Sequence, residues 1–160
     1  MISVCGRNDL TALEAAFSTG LNRFHERRLA EQESGASTYL VAWLDGVPVG
    51  HVHLLARSRY HEVRVRLGDR PEVNALAVAP ERRRLGIASV LLDEAERRAG
   101  PGPIGLAVEP GNTGAVRLYG GLGYEEWGGG AILDAWDQLD ADGAPERHEQ
   151  VCTYLVKHLR

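Results

Sequence analysis

The sequence predicts a domain of the α/β class, in which a mixed β-sheet is covered by helices. Strand-like and helix-like hydrophobic patterns alternate along the chain, which excludes both a helical bundle and an all-β sandwich. The chain has 160 residues, near the usual size of one domain, and a hydrophobic fraction of 44%, enough for a core without disulfides or metals. We therefore expect a single domain over residues 1–160.

The N-terminal part is predicted to hold one strand and two helices. Residues 1–5 form a short apolar run that is typical of a strand. Asp9 can cap a first helix, whose apolar side chains recur at helical spacing and which Gly20 is expected to end. Residues 22–32 predict a second, polar helix. Its expected inward contacts are Phe24, Leu29 and Ala30.

The middle of the chain predicts a hairpin and then a central strand. Residues 39–44 and 47–55 are β-rich and flank Asp45-Gly46, a strong two-residue hairpin signal. His51 and His53 share one face of the second strand, for which we expect exposure to solvent, with contact to a substrate as the alternative. An arginine-rich connector over residues 57–70 leads to residues 72–79, nearly all apolar, as in a strand buried on both faces.

The C-terminal half predicts a strand-helix-strand unit and two closing strands. Residues 85–99 carry a clear amphipathic helix, which Gly100-Pro101 ends. Residues 104–109 form a strand, after which Asn112 can cap a helix that runs through Tyr119. The last strands are expected at residues 124–127 and 151–156, joined by an acidic connector over residues 134–149.

Composition excludes several classes of function. The net charge of −4 argues against a general nucleic-acid binder, because neutralising phosphates requires a basic face. The longest apolar run, residues 39–44, is too short to span a membrane, and no secretory signal pattern occurs, so we expect a cytoplasmic protein. Cys5 and Cys152 are too few for a disulfide framework or a zinc site, and we expect free, partly buried thiols and no bound metal.

The segment over residues 76–92 predicts a strand, a tight turn and a helix, with an anion site at the turn. The arginines Arg82, Arg83 and Arg84 stand together where a helix N-terminus is already positive, which is unfavourable unless an anion binds. Gly86 and Ala88 would let a phosphate approach the backbone donors. The alternative is an exposed helix start with a solvated basic patch.

The strongest indication of function comes from three motifs that occur in a fixed order. They are Asp45-Gly46-x-Pro48-Val49-Gly50, Val78-x-Pro80-x-x-Arg83-x-x-Gly86-x-Ala88 and Asn112-x-x-Ala115-x-x-Leu118-Tyr119-x-x-x-Gly123-Tyr124. Through them the chain resembles the GCN5-related N-acetyltransferase (GNAT) family over residues 39–127. The resemblance implies a mixed, mostly antiparallel sheet with a splayed parallel strand pair at the cofactor site. The chain departs from the family pattern at Arg82, where the family often has an aromatic residue, and at Arg84 and Ala88, where it often has glycine.

The resemblance implies acetyl-CoA as co-substrate. The backbone of Leu76, Ala77 and Val78 would pair with the pantetheine arm as though it were another strand. The pyrophosphate would lie on the turn and the helix start. The residues implied there are Arg83, Arg84, Leu85, Gly86, Ile87, Ala88 and Ser89. Asn112 and Tyr119 are further implied contacts of the cofactor.

Transfer of an acyl group to an amine requires a base for the ammonium proton and a proton donor for the leaving thiolate. Glu72 stands where several family members have a general-base glutamate, acting directly or through water; the alternative is a solvent-facing strand cap. Tyr119 matches the tyrosine that the family places beside the sulfur; the alternative is an aromatic residue packed under the sheet.

The resemblance predicts an N-acetyltransferase that moves acetyl to a primary amine of a small molecule by direct attack, with an aminoglycoside, a polyamine or an amino-acid-like compound as acceptor. Two alternatives remain open: acetylation of a protein N-terminus or lysine, and a non-catalytic acyl-CoA-binding regulatory module. The acidic segment 134–149 either borders the acceptor site, where it would suit a cationic acceptor, or is an exposed hairpin. Trp127 and Trp136 either line the cleft of the acceptor or belong to the core. A homodimer is compatible with the family.

Overall fold

Eight strands and five α-helices make up the computed structural model, which describes all of residues 1–160. The strands are β1 (Ile2–Val4), β2 (Ser37–Leu44), β3 (Val47–Leu55), β4 (Glu72–Val78), β5 (Gly102–Val108), β6 (Glu125–Glu126), β7 (Ile132–Leu139) and β8 (Pro145–Leu159). The helices are α1 (Leu10–Ala16), α2 (Phe24–Glu33), α3 (His61–Leu67), α4 (Ile87–Ala99) and α5 (Thr113–Gly121). None of the helices has both the length and the apolar composition needed to cross a membrane.

The sheet has the strand order β1-β2-β3-β4-β5-β8-β6, and β7 pairs with β8 off this path. Every pairing is antiparallel except that of β4 with β5, which is parallel. The predicted fold class, a mixed and mostly antiparallel sheet flanked by helices, is therefore confirmed.

The β2–β3 hairpin forms at the predicted turn. Asp45 and Gly46 have φ of 52° and 76°, the left-handed values that a two-residue hairpin turn with right-handed strand twist requires. Further along β3, Gly50 lies directly under α4. A Cβ at Gly50 would stand 2.9 Å from Leu91 Cδ1 and 3.1 Å from Ile87 Cγ2, so glycine allows the close approach of this helix to the sheet.

The core consists of three clusters of buried side chains. The largest lies between α4 and the sheet and includes Leu91, Leu92 and Ala95, which are fully buried. A second lies under α1 and α2 around Leu13, and a third contains Tyr154 and its neighbours on α3, β7 and β8. Each fully buried leucine contributes roughly 1.5–3 kcal/mol of hydrophobic stabilisation. Both cysteines are free and buried.

The two N-terminal helices differ from the prediction. The first ends at Ala16 rather than at Gly20, and the Asp9 carboxylate accepts the backbone N–H of Gly6 (2.7 Å) instead of capping α1. In α2 the side chain of Ala30 is exposed and that of His25 is buried. His25 is stabilised there because its ring nitrogens lie 2.6 Å from the Tyr39 hydroxyl and 2.7 Å from the Phe17 carbonyl.

The arginine-rich connector contains a helix that the sequence did not predict. In α3, Val63 is buried and packs in the third cluster, while Arg64 is half-buried and Arg66 is exposed. Arg64 and Arg70 are fixed by backbone carbonyls: Arg64 Nη1 donates to Ser58 (2.8 Å), and Arg70 Nε donates to Pro103 (3.1 Å). Most residues of this segment are charged or polar, so the few apolar residues at helical spacing that stabilise the helix were not recognised in the sequence.

The acidic segment is a β-hairpin, not a connector. It belongs to β7 and to the first half of β8, which pair in continuous register from Ile132 with Cys152 to Leu139 with Pro145. The Leu139 N–H donates to Asn22 Oδ1 (2.6 Å), which ties the hairpin to the turn before α2. This contact places β7 opposite α2 across a cleft.

Candidate functional site

The parallel strands β4 and β5 separate soon after they begin. Their pairing is confined to Glu72 with Gly105 and Val73 with Leu106. A cavity of about 240 Å³ opens where they separate. It is lined by Tyr60, Glu72, Val73, Asn74, Ala75, Leu76, Leu106, Ala107, Val108, Glu109, Asn112, Ala115, Tyr119, Asp134, Gln150 and Cys152. The cavity therefore reaches from the interior of the sheet to the start of α5.

A β-bulge in β4 lies at the opening. His51 pairs with Ala77 and His53 with Asn74, so two residues of β4 oppose one of β3. Ala75 has φ of 51°, a left-handed value that is unfavourable for a residue other than glycine. Beyond Val73, the edge of β4 that faces β5 has no strand partner. An extended amide-bearing arm could pair with this edge at the predicted residues Leu76, Ala77 and Val78.

Glu72 is buried at the base of the cavity, with 1% of its surface exposed. Its Oε1 accepts hydrogen bonds from Ser58 Oγ (2.5 Å) and the Tyr154 hydroxyl (2.7 Å), and its Oε2 accepts one from the Arg59 N–H (3.2 Å). Burial raises the pKa of Glu72 above its ordinary value, and the hydrogen bonds only partly oppose this shift. The alternative of a solvent-facing strand cap is wrong.

The neighbours that hold Glu72 were not predicted. Tyr154 reaches Glu72 because Gly105 has no side chain: a Cβ there would stand only 2.2 Å from the Tyr154 hydroxyl oxygen. Residues 72 and 154 are 82 positions apart in the sequence, and only the strand pairing brings them together. Ser58 lies in the arginine-rich connector, where no motif distinguished it. The one sequence signal that could have identified Tyr154 is the alternation of inward-facing and outward-facing side chains along β8.

Tyr119 lines the same cavity as Glu72, as does Asn112. The tyrosine ring packs edge to face against Tyr124, with centroids 5.9 Å apart, and burial raises the pKa of its hydroxyl. Asn112 caps α5, because its Oδ1 accepts the Ala115 N–H (3.2 Å). The structure thus brings together the two predicted catalytic residues.

The turn before α4 has a set of free donors. The backbone N–H groups of residues 84–89 donate to no acceptor in the chain, whereas those of Arg83 and Val90 donate to Pro80 and Gly86. Gly86 is the N-cap of α4, with φ of 79°. The segment Arg82–Arg84 is exposed, and none of its guanidinium groups lies within 4 Å of a carboxylate. Free amides, a helix N-terminus and unpaired cations fit a diphosphate group.

A second cavity of about 550 Å³ lies on the α2 side of the sheet. It is lined by Phe24, Arg27, Arg28, Glu31, His53, Leu55, Arg59, Asn74, Ala75, Asp134, Trp136 and Asp137. The two cavities share Asn74, Ala75 and Asp134, so they meet at the bulge of β4. A compound in the second cavity can therefore approach a group held in the first.

The walls of the second cavity differ from the expected acidic surface. Of the six acidic residues between positions 134 and 149, only Asp134 and Asp137 line it, and three arginines, Arg27, Arg28 and Arg59, line it as well. Trp136 also lines this cavity, whereas Trp127 packs against Tyr154 with ring centroids 5.4 Å apart.

The expected exposure of His51 and His53 is wrong. Their side chains are 5% and 2% exposed, because α1 and α2 cover this face of β3. Burial lowers the pKa of His51 to about 3 and that of His53 to about 4, so both rings are neutral at pH 7. His53 Nε2 lies 2.7 Å from Ser37 Oγ, while His51 Nδ1 has no partner. No group of three or more His, Cys, Asp or Glu side chains is arranged to hold a metal ion.

Comparisons with known proteins agree with this architecture. The family model described as "Acetyltransferase (GNAT) family" matches residues 9–124. No curated protein matches the sequence. Among solved structures, a ribosomal-protein-alanine N-acetyltransferase from Brucella melitensis is 21% identical, with 99% of each chain covered and a TM-score of 0.66.

Two further solved structures are similar in fold. Naa20 from Chaetomium thermophilum, in complex with a bisubstrate analogue, is 22% identical, with 99% of this chain and 86% of that chain covered and a TM-score of 0.71. A GNAT superfamily phosphinothricin acetyltransferase from Sinorhizobium meliloti, in complex with AcCoA, is 17% identical, with 99% and 88% covered and a TM-score of 0.68. At these identities the likeness extends to the fold alone.

Proposed function

The chain belongs to the GNAT family of acetyltransferases, and from this membership we propose that it transfers the acetyl group of acetyl-CoA to the primary amine of a small molecule. The observation that carries the proposal is the meeting of two cavities at the bulge of β4. One lies between the splayed strands and reaches the start of α5, and the other opens on the α2 side of the sheet. This arrangement lets two substrates approach each other from different directions.

We assign the first cavity and the turn before α4 to acetyl-CoA. Leu76, Ala77 and Val78 offer their free strand edge to the pantetheine amides. The amides of residues 84–89 and the guanidinium groups of Arg83 and Arg84 suit the diphosphate. Asn112 and Tyr119 complete the lining near α5. The thioester supplies an activated acetyl group there.

The reaction we propose is direct attack. The neutral amine attacks the acetyl carbonyl carbon, the new C–N bond forms and the C–S bond breaks, so that the thiolate of coenzyme A leaves. The nitrogen then gives its second proton to solvent and is left as a neutral amide. Glu72 takes the ammonium proton, directly or through water, and its raised pKa brings its basicity closer to that of the amine. Tyr119 donates its hydroxyl proton to the thiolate, and the hydroxyl is restored from solvent.

The proposal is tested by release of free thiol from acetyl-CoA over a panel of amines, together with calorimetry of acetyl-CoA binding. The panel contains amino acids, polyamines, aminoglycosides and short peptides. We expect acetyl-CoA to bind and at least one small amine to be acetylated. Binding without transfer to any amine would favour a regulatory module, and preferred transfer to a peptide would favour acetylation of proteins.

Two glycine variants at the ends of α4 test the cofactor site. Gly86 and Gly100 have φ of 79° and 75°, and a Cβ at either position meets no neighbour within 4 Å. Gly86→Glu should abolish acetyl-CoA binding by bulk and charge, whereas Gly100→Glu introduces the same backbone strain and charge away from the site. Unchanged affinity in Gly86→Glu would show that the diphosphate lies elsewhere.

A further inference from the structure

The second cavity has unmatched positive charge on the wall that α2 forms. The guanidinium groups of Arg27 and Arg28 lie 5.6 Å and 5.8 Å from the centroid of the Phe24 ring, and both residues line the cavity. Neither forms an ion pair with a carboxylate within 4 Å. The one acidic residue of this wall, Glu31, lies instead 3.8 Å from His53 Nε2. Arg28 Nη1 donates to the Tyr39 hydroxyl (3.3 Å), but neither of these two cations has a carboxylate partner.

The opposite wall has an unmatched acceptor. Asp134 Oδ1 is buried and accepts no hydrogen bond. Its nearest cation is Arg59 Nη2, at 3.7 Å, too far for a hydrogen bond. Asp134 is also the one charged residue that lines both cavities, so its carboxylate stands beside the route to the acetyl group. A buried carboxylate oxygen without a donor is unfavourable until a donor binds.

The two walls lack different partners: Asp134 Oδ1, although within ion-pair distance of Arg59, lacks a hydrogen-bond donor, whereas Arg27 and Arg28 lack a carboxylate. The reacting amine must lie near the acetyl group, which is the side of Asp134, while a negative group would satisfy Arg27 and Arg28. A polyamine or an aminoglycoside would bring further cations toward two unpaired guanidinium groups, which is repulsive in a partly desolvated cleft. A volume of about 550 Å³ lies in the range of small-molecule sites.

We infer that the acceptor is an amine that also carries a carboxylate, of the amino-acid class. Asp134 binds the ammonium before it loses its proton to the base, and Arg27 and Arg28 bind the carboxylate. Guanidinium groups suit this role because they bind a planar carboxylate through two parallel hydrogen bonds. The inference rests on the proposed acetyl transfer and narrows its acceptor.

The first experiment compares acceptors that differ only in the carboxylate. Each α-amino acid of the panel, and each ω-amino acid, is assayed beside its own carboxamide by release of thiol from acetyl-CoA. The amine of an amino acid amide is less basic, so more of it is neutral at pH 7.5 and the chemistry alone favours the amide. We expect the free acid nevertheless to have the larger kcat/KM, by about tenfold or more, which corresponds to one charge-assisted contact.

The second experiment changes each wall separately. Arg27→Gln and Arg28→Gln should raise KM for the amino acid about tenfold and leave KM for its amide unchanged. Asp134→Asn should lower kcat/KM for both acceptors, since both carry the amine. Arg23→Gln is the matched control, because Arg23 precedes α2, pairs with Glu26 and does not line the cavity. Melting temperature and acetyl-CoA affinity show that each variant is folded.

The outcomes separate this inference from the proposed function. Equal or better turnover of the carboxamides, of spermidine or of kanamycin overturns the inference and leaves acetyl transfer to a small amine in place. Preference for a peptide overturns the inference because the ligand is then larger than an amino acid. Binding of acetyl-CoA without turnover of any amine overturns both.

Discussion

Glu72 combines nearly complete burial with three hydrogen-bond donors. Ser58 and Tyr154 bind one carboxylate oxygen and the Arg59 N–H binds the other. The donors fix the orientation of the carboxylate, while the loss of water keeps the pKa of Glu72 raised. A carboxylate in this state is oriented and more basic than one in solvent, as a general base requires.

Glu72→Gln should lower kcat by about 100-fold or more, because the proton acceptor is lost while the side chain keeps its size. The raised pKa places the acidic limb of the wild-type profile of kcat/KM above pH 4.5. That limb should be absent from the variant. Glu62→Gln, at an exposed position of α3, is the control. A Glu72→Gln enzyme with an unaltered pH profile and only a lower melting temperature would assign Glu72 a structural role.

Tyr119→Phe should chiefly lower kcat, by about tenfold, with acetyl-CoA affinity unchanged, because only the proton donor to the thiolate is removed. Tyr124→Phe is the matched control: its hydroxyl donates to Glu96 Oε2 (3.1 Å), outside the cavity. Steady-state kinetics together with calorimetry decides the point. An undiminished kcat in Tyr119→Phe would mean that the hydroxyl takes no part in thiolate departure.

The buried histidines make stability depend on pH. The pKa of His51 falls to about 3 in the folded protein from an ordinary 6.5, so below pH 6.5 the unfolded chain takes up a proton that the folded chain does not. The free energy of unfolding should therefore decrease as pH falls, by up to about 1.4 kcal/mol per pH unit for each such histidine.

His51→Phe should reduce this dependence by about 2 kcal/mol between pH 7.5 and pH 5, measured by urea denaturation. The Phe ring retains the edge-to-face contacts with Phe17 and Tyr39 and removes the buried Nδ1 that lacks a partner. His61→Gln, at an exposed position, should leave the dependence as it is. The same pH dependence in His51→Phe as in wild type would contradict a neutral buried His51.

At the scale of elements, the turn before α4 places a non-glycine residue in a left-handed conformation. Arg84 has φ of 66°, where many family members have glycine. Such a residue raises the backbone energy by about 1 kcal/mol. The added cation at the proposed diphosphate site compensates for this only when an anion is bound, so stability and affinity oppose each other at this position.

Arg84→Gly and Arg84→Ala separate these two effects. Both variants lose the cation, so both should bind acetyl-CoA about fivefold more weakly than wild type at low salt, and the difference should shrink at high salt. Only Arg84→Gly relieves the backbone strain, so it should be about 1 kcal/mol more stable than Arg84→Ala to urea. Equal stability of the two variants would show that residue 84 does not keep its left-handed conformation in solution.

Local patterns predicted the elements that have strong local causes. The β2–β3 hairpin follows from Asp45-Gly46, and α4 follows from apolar side chains at helical spacing. The helix α3 and the long β8 lie in segments dense in charge, where one or two buried side chains decide the structure. The exposure predicted for His51 and His53 was wrong, because alternation along a strand shows which side chains share a face but not which elements cover that face.

Only part of the candidate site was predicted, because local patterns identified some of its residues and not others. Motifs indicated Glu72 and Tyr119, which line one cavity. Ser58, Tyr154 and Asp134 come from other parts of the chain and meet Glu72 or the second cavity only through the pairing of β4, β5, β7 and β8. Such long-range register has no local signature in a single sequence.

At the scale of the whole molecule, the C-terminal strands complete the site. The family model ends at residue 124, yet Tyr154 of β8 donates to Glu72 of β4, and Asp134 of β7 lines both cavities. The hairpin is also bound to the turn before α2 through Leu139 and Asn22. These contacts support our proposal that residues 1–160 form one acetyltransferase domain that folds as a unit.

One domain should unfold in one transition. A variant that keeps only Trp43 reports on β2, and a variant that keeps only Trp136 reports on β7, so their fluorescence transitions should coincide with each other and with circular dichroism. Acetyl-CoA at 100 times its dissociation constant should shift all three by about 2.7 kcal/mol, because it binds only the folded state. If the Trp136 transition instead occurred earlier and did not shift with acetyl-CoA, the hairpin would be a separate folding unit. The acceptor cleft between β7 and α2 would then form only when the hairpin docks.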